Sequence, residues 1–209
     1  HKGQPVDAFQ GAVPNSEIDA FVARVIEASG GEVNGGLSDA LKSAEEMLED
    51  GAASDAAEVF SAIIEEDNQN VKAYSGLARA KLDLEDIEGA EAVLNGVPAD
   101  ISDSPEIEAV FAKIALARQA LDVGPLSELE AVVASDPSNS KARFEYSQAL
   151  YAADNIDEAV AQLLELFRRD SDWNDGAAKA QLFTIFDALE PNDPIVLNGR
   201  RKLSSMIFA

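Results

Sequence analysis

Along most of the chain, apolar residues recur three or four positions apart, the spacing of one helical face. Within residues 71–84, Val71, Tyr74, Leu77, Ala78 and Leu82 follow that spacing; Ile87, Ala90, Val93 and Leu94 repeat it until Val97-Pro98 ends the run. The pattern predicts a helix pair there. It predicts further pairs over 37–49 with 56–66 and over 140–151 with 156–167. Beyond Trp173, residues 178–189 read as an amphipathic helix, Asn192-Asp193-Pro194 breaks it, and 195–208 form a last helix.

The pairs recur in register. Small residues stand at Ala44, Ala78, Ala112 and Ser147, spaced 34, 34 and 35 apart, and again at Ala56, Ala90, Gly124 and Ala159. A large apolar series runs through Phe60, Leu94, Leu129 and Leu163. Small residues at paired slots let two helices approach closely, and the large neighbour fills the gap. The unit ends also correspond, as Asp67-Asn68-Gln69-Asn70, Asp136-Pro137-Ser138-Asn139 and Asp170-Ser171-Asp172-Trp173. Three series with one period mark a repeat protein. The third unit, 105–139, is irregular, because its second helix opens with Gly124-Pro125, a turn followed by a helix start.

These residues resemble the tetratricopeptide repeat (TPR) family, whose two-helix unit has a period of about 34 residues. Tyr74 holds the aromatic slot, Leu77-Ala78 the Leu-small pair, and Ala90 and Leu94 the second-helix slots. Asn155-Ile156-Asp157-Glu158-Ala159 looks like the inter-helix turn, and the closing Asp-Pro is intact at Asp136-Pro137. At the N-terminus, Gln4-Pro5-Val6-Asp7-Ala8-Phe9 alternates like a short strand after a Lys2-Gly3 turn. Gly11-Ala12-Val13-Pro14 breaks it, Asn15 or Ser16 offers a cap, and Ile18, Phe21, Val22, Val25 and Ile26 form a helical stripe. That order resembles the last strand and helix of a thioredoxin fold; an isolated hairpin-helix cap is the alternative. The expected fold is an all-α TPR solenoid of about four repeats plus terminal helices, preceded by this strand-helix remnant. The expected divisions are 1–29 for the remnant, 30–36 for a Gly-rich linker, 37–173 for the repeats, and 174–209 for a C-terminal cap and docking segment.

An Ala-x-x-x-Leu-x-x-Ile-Phe helix from Ala178, then Asp193-Pro194, then Arg200-Arg201-Lys202-Leu203 looks like the C-terminus of thioredoxin–TPR co-chaperones of the YbbN/CnoX "chaperedoxin" type. The resemblance implies a cytoplasmic, stress-response holdase that keeps unfolding clients soluble and delivers them to a GroEL-type chaperonin, docking through residues 195–209. Any thiol chemistry would lie upstream of the chain. Two further readings remain: a generic TPR interaction scaffold, and the substrate-selecting region of a thioredoxin-like oxidoreductase.

Composition narrows the field from another side. Of 209 residues, 46% are hydrophobic and only 6% aromatic, so the core is mostly aliphatic and alanine-based. Acids outnumber bases 39 to 16, for a formal charge of -23, which argues against a nucleic-acid surface and against docking on an anionic leaflet. There is no cysteine, and the one histidine is His1, so disulfides, thiol catalysis, a histidine base and multi-histidine metal sites are excluded within this chain. No run approaches the roughly 20 apolar residues of a membrane span. The opening His1-Lys2-Gly3-Gln4-Pro5 has no signal-peptide character, and the missing initiator Met predicts a piece of a longer protein. The expectation is a binding module rather than an enzyme, with no cofactor and no metal.

From Pro194 to Ala209 there are three basic residues and no acidic one. Arg200, Arg201, Lys202, Leu203, Met206, Ile207 and Phe208 are therefore candidate partner-binding residues, an apolar terminus beside a basic patch. The competing reading makes this helix a solenoid cap with Leu203 and Ile207 buried, and the two roles are compatible. The first helices of a TPR array line a concave groove, here expected to present Leu41, Glu45 and Leu48, then Lys72, Ser75, Arg79 and Leu82, then Lys141, Phe144, Gln148 and Tyr151. Phe144 and Tyr151 suit apolar client contact or core packing. A carboxylate clamp needs a Lys/Asn set across adjacent repeats; only Lys72 and Lys141 offer a basic slot, two repeats apart, so none is expected. Asp170-x-Asp172-x-Asn174 lacks the Gly and the bidentate Glu of a calcium loop. Acidic runs such as Glu65-Glu66-Asp67 read as solvated faces. Trp173, the one tryptophan, is expected at the junction between the fourth unit and the terminal helices.

Overall fold

The computed structural model describes residues 35–208, so the 1–29 segment expected as a thioredoxin remnant lies outside the described residues. Ten α-helices follow one another: α1 (Gly35–Glu49), α2 (Ala53–Glu66), α3 (Val71–Asp83), α4 (Ile87–Asn95), α5 (Pro105–Leu121), α6 (Leu126–Ser135), α7 (Ser140–Ala152), α8 (Ile156–Arg169), α9 (Ala177–Ala188) and α10 (Pro194–Ile207). A 3-10 turn, Trp173–Gly176, separates α8 from α9. Helix α1 opens at Gly35, two residues inside the expected linker.

One local device builds three of the four units. Between the paired helices, Gly51, Glu85 and Asp154 adopt left-handed backbone at φ 80°, 60° and 61°. The next amide reaches back five residues each time: Ala52 N–H donates to Met47 O (2.8 Å), Asp86 to Lys81 O (2.9 Å) and Asn155 to Leu150 O (2.8 Å). Between units, the Asn70 and Asn139 side chains accept from the amides of Ala73 (3.1 Å) and Ala142 (2.9 Å), capping α3 and α7. Asp67 and Asp136 steady the same loops by accepting from the amides of Gln69 and Ser138, both at 3.1 Å.

The third unit departs from this plan. The position matching Glu85 falls at Gln119–Ala120, where the backbone stays helical, and the helix runs on to Leu121, giving α5 its 17 residues. Gly124, expected in the small slot of a second helix, is instead exposed in the α5–α6 loop, with nothing within 4 Å of where a Cβ would sit. Helix α5 consequently makes no extended contact with α6; it packs against α3, α4, α7 and α9. Its first half, through Ile107, Val110 and Ile114, closes a cluster with Tyr74, Ala78, Ala90 and Leu94. Its second half sends Leu116 into the largest core, with Leu163, Leu182, Ile185, Phe186 and Val196. One helix thus belongs to two cores.

Elsewhere the small and large series do what their spacing implies. Ala44, Ala56, Ala78, Ala90 and Ala159 are fully buried, as are Phe60 and Leu163. Two glycines mark the closest approaches. A Cβ on Gly76 would sit 2.4 Å from the Phe60 ring, and one on Gly199 would sit 2.6 Å from the Phe186 ring.

Candidate partner-binding surfaces

The groove-lining positions pair with one another. Glu45 of α1 and Arg79 of α3, 34 residues apart, form an ion pair at 2.7 Å. Lys113 of α5 stands a further 34 on; burial, then the neighbouring Arg79 charge, hold its amine below the ordinary lysine range. Gln119 Oε1 accepts from Gln148 of α7 (3.2 Å) and from Gln181 of α9 (2.6 Å), joining three helices at one amide. The 34-residue spacing of Glu45, Arg79 and Lys113 is visible in sequence; the Gln119–Gln181 bond, 62 residues long, has no local signal.

Phe144 and Tyr151, candidates for client contact, are half-buried and pack against the largest core. Phe144 meets the Trp173 ring at 5.4 Å between centroids, so Trp173 does sit at the expected junction. Burial, and then Asp154, push the Tyr151 phenol above its ordinary value. Phe144 keeps one face in a shallow groove of about 590 Å³ with Lys141, Gln148 and Asn174.

Helix α10 divides into two faces. Its start is capped by Asp193, which accepts from the Ile195 amide at 2.7 Å. Val196, Gly199 and Leu203 turn inward; Leu203, expected to contact a partner, is 2% exposed and is a core residue. It is buried because α10 packs on α8 and completes the core around Phe186. Met206 is half-buried against the same core. Arg200 lies over the Phe186 ring at 5.8 Å and pairs with Asp187 at 3.4 Å. Arg201 bonds only Asn198 within its helix (3.1 Å), and Lys202 has no ion-pair partner among the described residues. Ile207 is 44% exposed, contrary to the cap reading, and Phe208 is 86% exposed. Leu197, 57% exposed, joins Arg201 and Phe208 on one outer stripe at helical spacing, a residue that the apolar-terminus reading passed over.

Beside α10 lies an open groove of about 1150 Å³, bounded by the end of α8, the 3-10 turn and α9. The turn that forms its lip runs through three left-handed residues in succession, Asn174 (φ 46°), Asp175 (φ 56°) and Gly176 (φ 79°). Near it, Glu165 accepts from Arg168 (2.8 Å) and Arg169 (2.5 Å), and these bonds hold its carboxyl at about 2. Buried Arg143 and exposed Arg169 both donate to the Pro137 carbonyl, at 3.1 and 3.2 Å. Among the described residues no three acidic, Cys or His side chains gather as a metal site, and no helix is long and apolar enough to cross a membrane.

Two tetratricopeptide-repeat family models match the sequence, one over residues 47–114 and one over 119–208. The described chain is a tetratricopeptide-repeat solenoid. The seam between the two TPR matches falls inside α5, where the structure passes from one core to the next. Uncharacterized proteins of Mycobacterium tuberculosis and Mycobacterium bovis are each 24% identical over 99% of this chain. An uncharacterized Haemophilus influenzae protein is 27% identical over 63% of it. The chain spans 59% of the length of these curated relatives. A crystallised domain of a Vibrio parahaemolyticus protein of unknown function is 24% identical, with 80% of this chain and 98% of that one covered and a TM-score of 0.38.

Proposed function

We propose that this solenoid is a cytoplasmic co-chaperone module that holds unfolded clients and hands them to a GroEL-type chaperonin, docking through the outer stripe of α10. TPR repeats support a protein–protein interaction scaffold; the observation that carries the narrower reading is the exposed Leu197, Arg201, Lys202 and Phe208 on a helix whose inner face is already satisfied. Charge supports it as well. The first 165 residues carry thirty-three acidic and ten basic side chains, whereas residues 166–209 carry six of each. The acidic body would keep a client-loaded complex dispersed by repulsion, and the neutral end is free to dock. A generic scaffold with one specific partner is the second reading, favoured by the internally paired, polar column Glu45–Arg79.

The test is co-migration with a purified chaperonin on size exclusion. Deleting residues 194–209 would strip Val196 and Leu203 from the core and confound the result. The double variant Arg201→Glu with Phe208→Ser alters only exposed side chains. It should abolish co-migration while leaving the circular-dichroism melt unchanged. An intact chain that never shifts to the chaperonin's elution volume would assign the scaffold reading instead.

A further inference from the structure

Helix α6 is the most lightly held element of the described array. It buries one side chain, Val133, against four for α2 and six for α7, and it packs extensively on α7 alone. Among the described residues no hydrogen bond or ion pair joins it to another helix; the Ser135 hydroxyl turns back to the Val132 carbonyl at 3.0 Å. Its two ends differ. Beyond the C-terminal end, the Pro137 carbonyl accepts from Arg143 and Arg169, and Asn139 caps α7. Before the N-terminal end, Leu121 is 75% exposed, Gly124 stands in open space, and Pro125 provides no side-chain cap. The helix is pinned at one end and free at the other. Its 10 residues are too few to stay helical once detached, since isolated helices shorter than about 12–15 residues are marginal in water. Beneath it lie Ala142, Tyr146 and Leu150 of α7 and Ala159 of α8, an apolar face closed by Leu126, Leu129 and Val133 of α6.

We propose that α6 is a displaceable lid, and that the face beneath it receives an amphipathic segment of an unfolded protein. Elements that open locally to admit a ligand come from the least stable parts of a fold, and α6 is that part here. The helix being replaced defines the chemistry of its replacement. Leu126, Leu129 and Val133 set aliphatic side chains at i, i+3 and i+7 against α7, so a segment with that stripe fits the same face without any charge requirement. The choice of an unfolded protein as occupant rests on the holdase reading. The opening of α6 does not, and neither involves the outer stripe of α10.

Hydrogen exchange of the full chain reads the opening directly. Amides of residues 129–135 should exchange about a hundredfold faster than those of α2 and α7, at a rate almost independent of low denaturant. The probe for the face is a labelled synthetic peptide copying residues 122–139, beside a twin carrying Leu126→Ser, Leu129→Ser and Val133→Ser. Fluorescence anisotropy with the full chain should show saturable binding of the first and none of the twin. A reduced, carboxymethylated protein that cannot refold should displace the bound peptide. Val133→Ser in the full chain should raise the peptide's affinity about tenfold, because a looser lid leaves the face open more of the time; a purely structural Val133 would give no gain. Arg201→Glu should leave all these readouts intact even where it abolishes chaperonin co-migration, so the two proposals fail separately. Exchange in α6 as slow as in α7, absence of peptide binding, equal binding of the twin, or no displacement by the unfolded protein would overturn the proposal. A sedimenting dimer of the full chain that excess peptide dissolves would also overturn it, assigning the face to a second copy's α6.

Discussion

In α1–α4 each turn between paired helices places one left-handed residue at the same position and closes it with the same hydrogen bond. At the corresponding point of α5 the helix runs straight on, and that continuation packs against α7 and α9. The first region is regular and strongly acidic, and its core is split into two small clusters. The second keeps the same turn only between α7 and α8, is close to neutral over residues 166–209, and holds one large core of twelve buried residues beside a smaller cluster of Val133, Ala142, Tyr146, Leu150 and Ala159. The largest core therefore lies on the far side of the one unit that lacks the turn. Losing one turn freed α5 to bridge both regions, and the bridged end is the one that exposes Leu197, Phe183 and Phe208.

The sharpest way to break this contrast is to empty one core at a time. Phe186→Ala should cost about 3–5 kcal/mol in denaturant unfolding and remove hydrogen-exchange protection from α8–α10 while α1–α4 keep theirs. Phe60→Ala should do the converse. Next come the close approaches: Gly76→Ala and Gly199→Ala, whose Cβ atoms would meet the Phe60 and Phe186 rings, should each cost about 1–3 kcal/mol. Gly124→Ala, in open space, should stay within about 0.5 kcal/mol. Gln119→Ala removes the two bonds that tie α5 to α7 and α9; it should cost about 1–2 kcal/mol and split one thermal transition into two.

The smallest effect is electrostatic. Glu165 is held at about 2 by its bonds to Arg168 and then Arg169, against an ordinary 4.5. A carboxyl depressed in the folded state stabilises fully above its unfolded value, and that contribution is lost as pH falls from about 4.5 toward 2. The pair lies at the surface, so the loss should not exceed about 1 kcal/mol. Glu165→Gln should flatten the stability curve in that window and leave it unchanged at neutral pH apart from a constant offset.

Much of this architecture is legible in the residues. The 34-residue series of Ala, Phe and Leu marks the helix pairs, and Asn70 and Asn139 mark their starts. Gly124-Pro125 reads as a turn before a helix start, and the structure starts α6 at Leu126; the small-residue series alone placed Gly124 in a helical slot. Leu203 misled differently. It follows Arg200-Arg201-Lys202 in sequence, but helical geometry carries it to the opposite face, where α8 waits. The groove depends on α8, α9 and α10 meeting across long separations, and the Gln119–Gln181 bond likewise, so neither has a signature along the chain.

The most direct measurement is hydrogen–deuterium exchange of the full chain, alone and with a GroEL-type chaperonin. The expected result is new protection confined to α10, at Leu197 through Phe208, with α1–α4 unchanged. Protection spread along α1–α4, or no change anywhere on the chain, would contradict the assignment of docking to the C-terminal end.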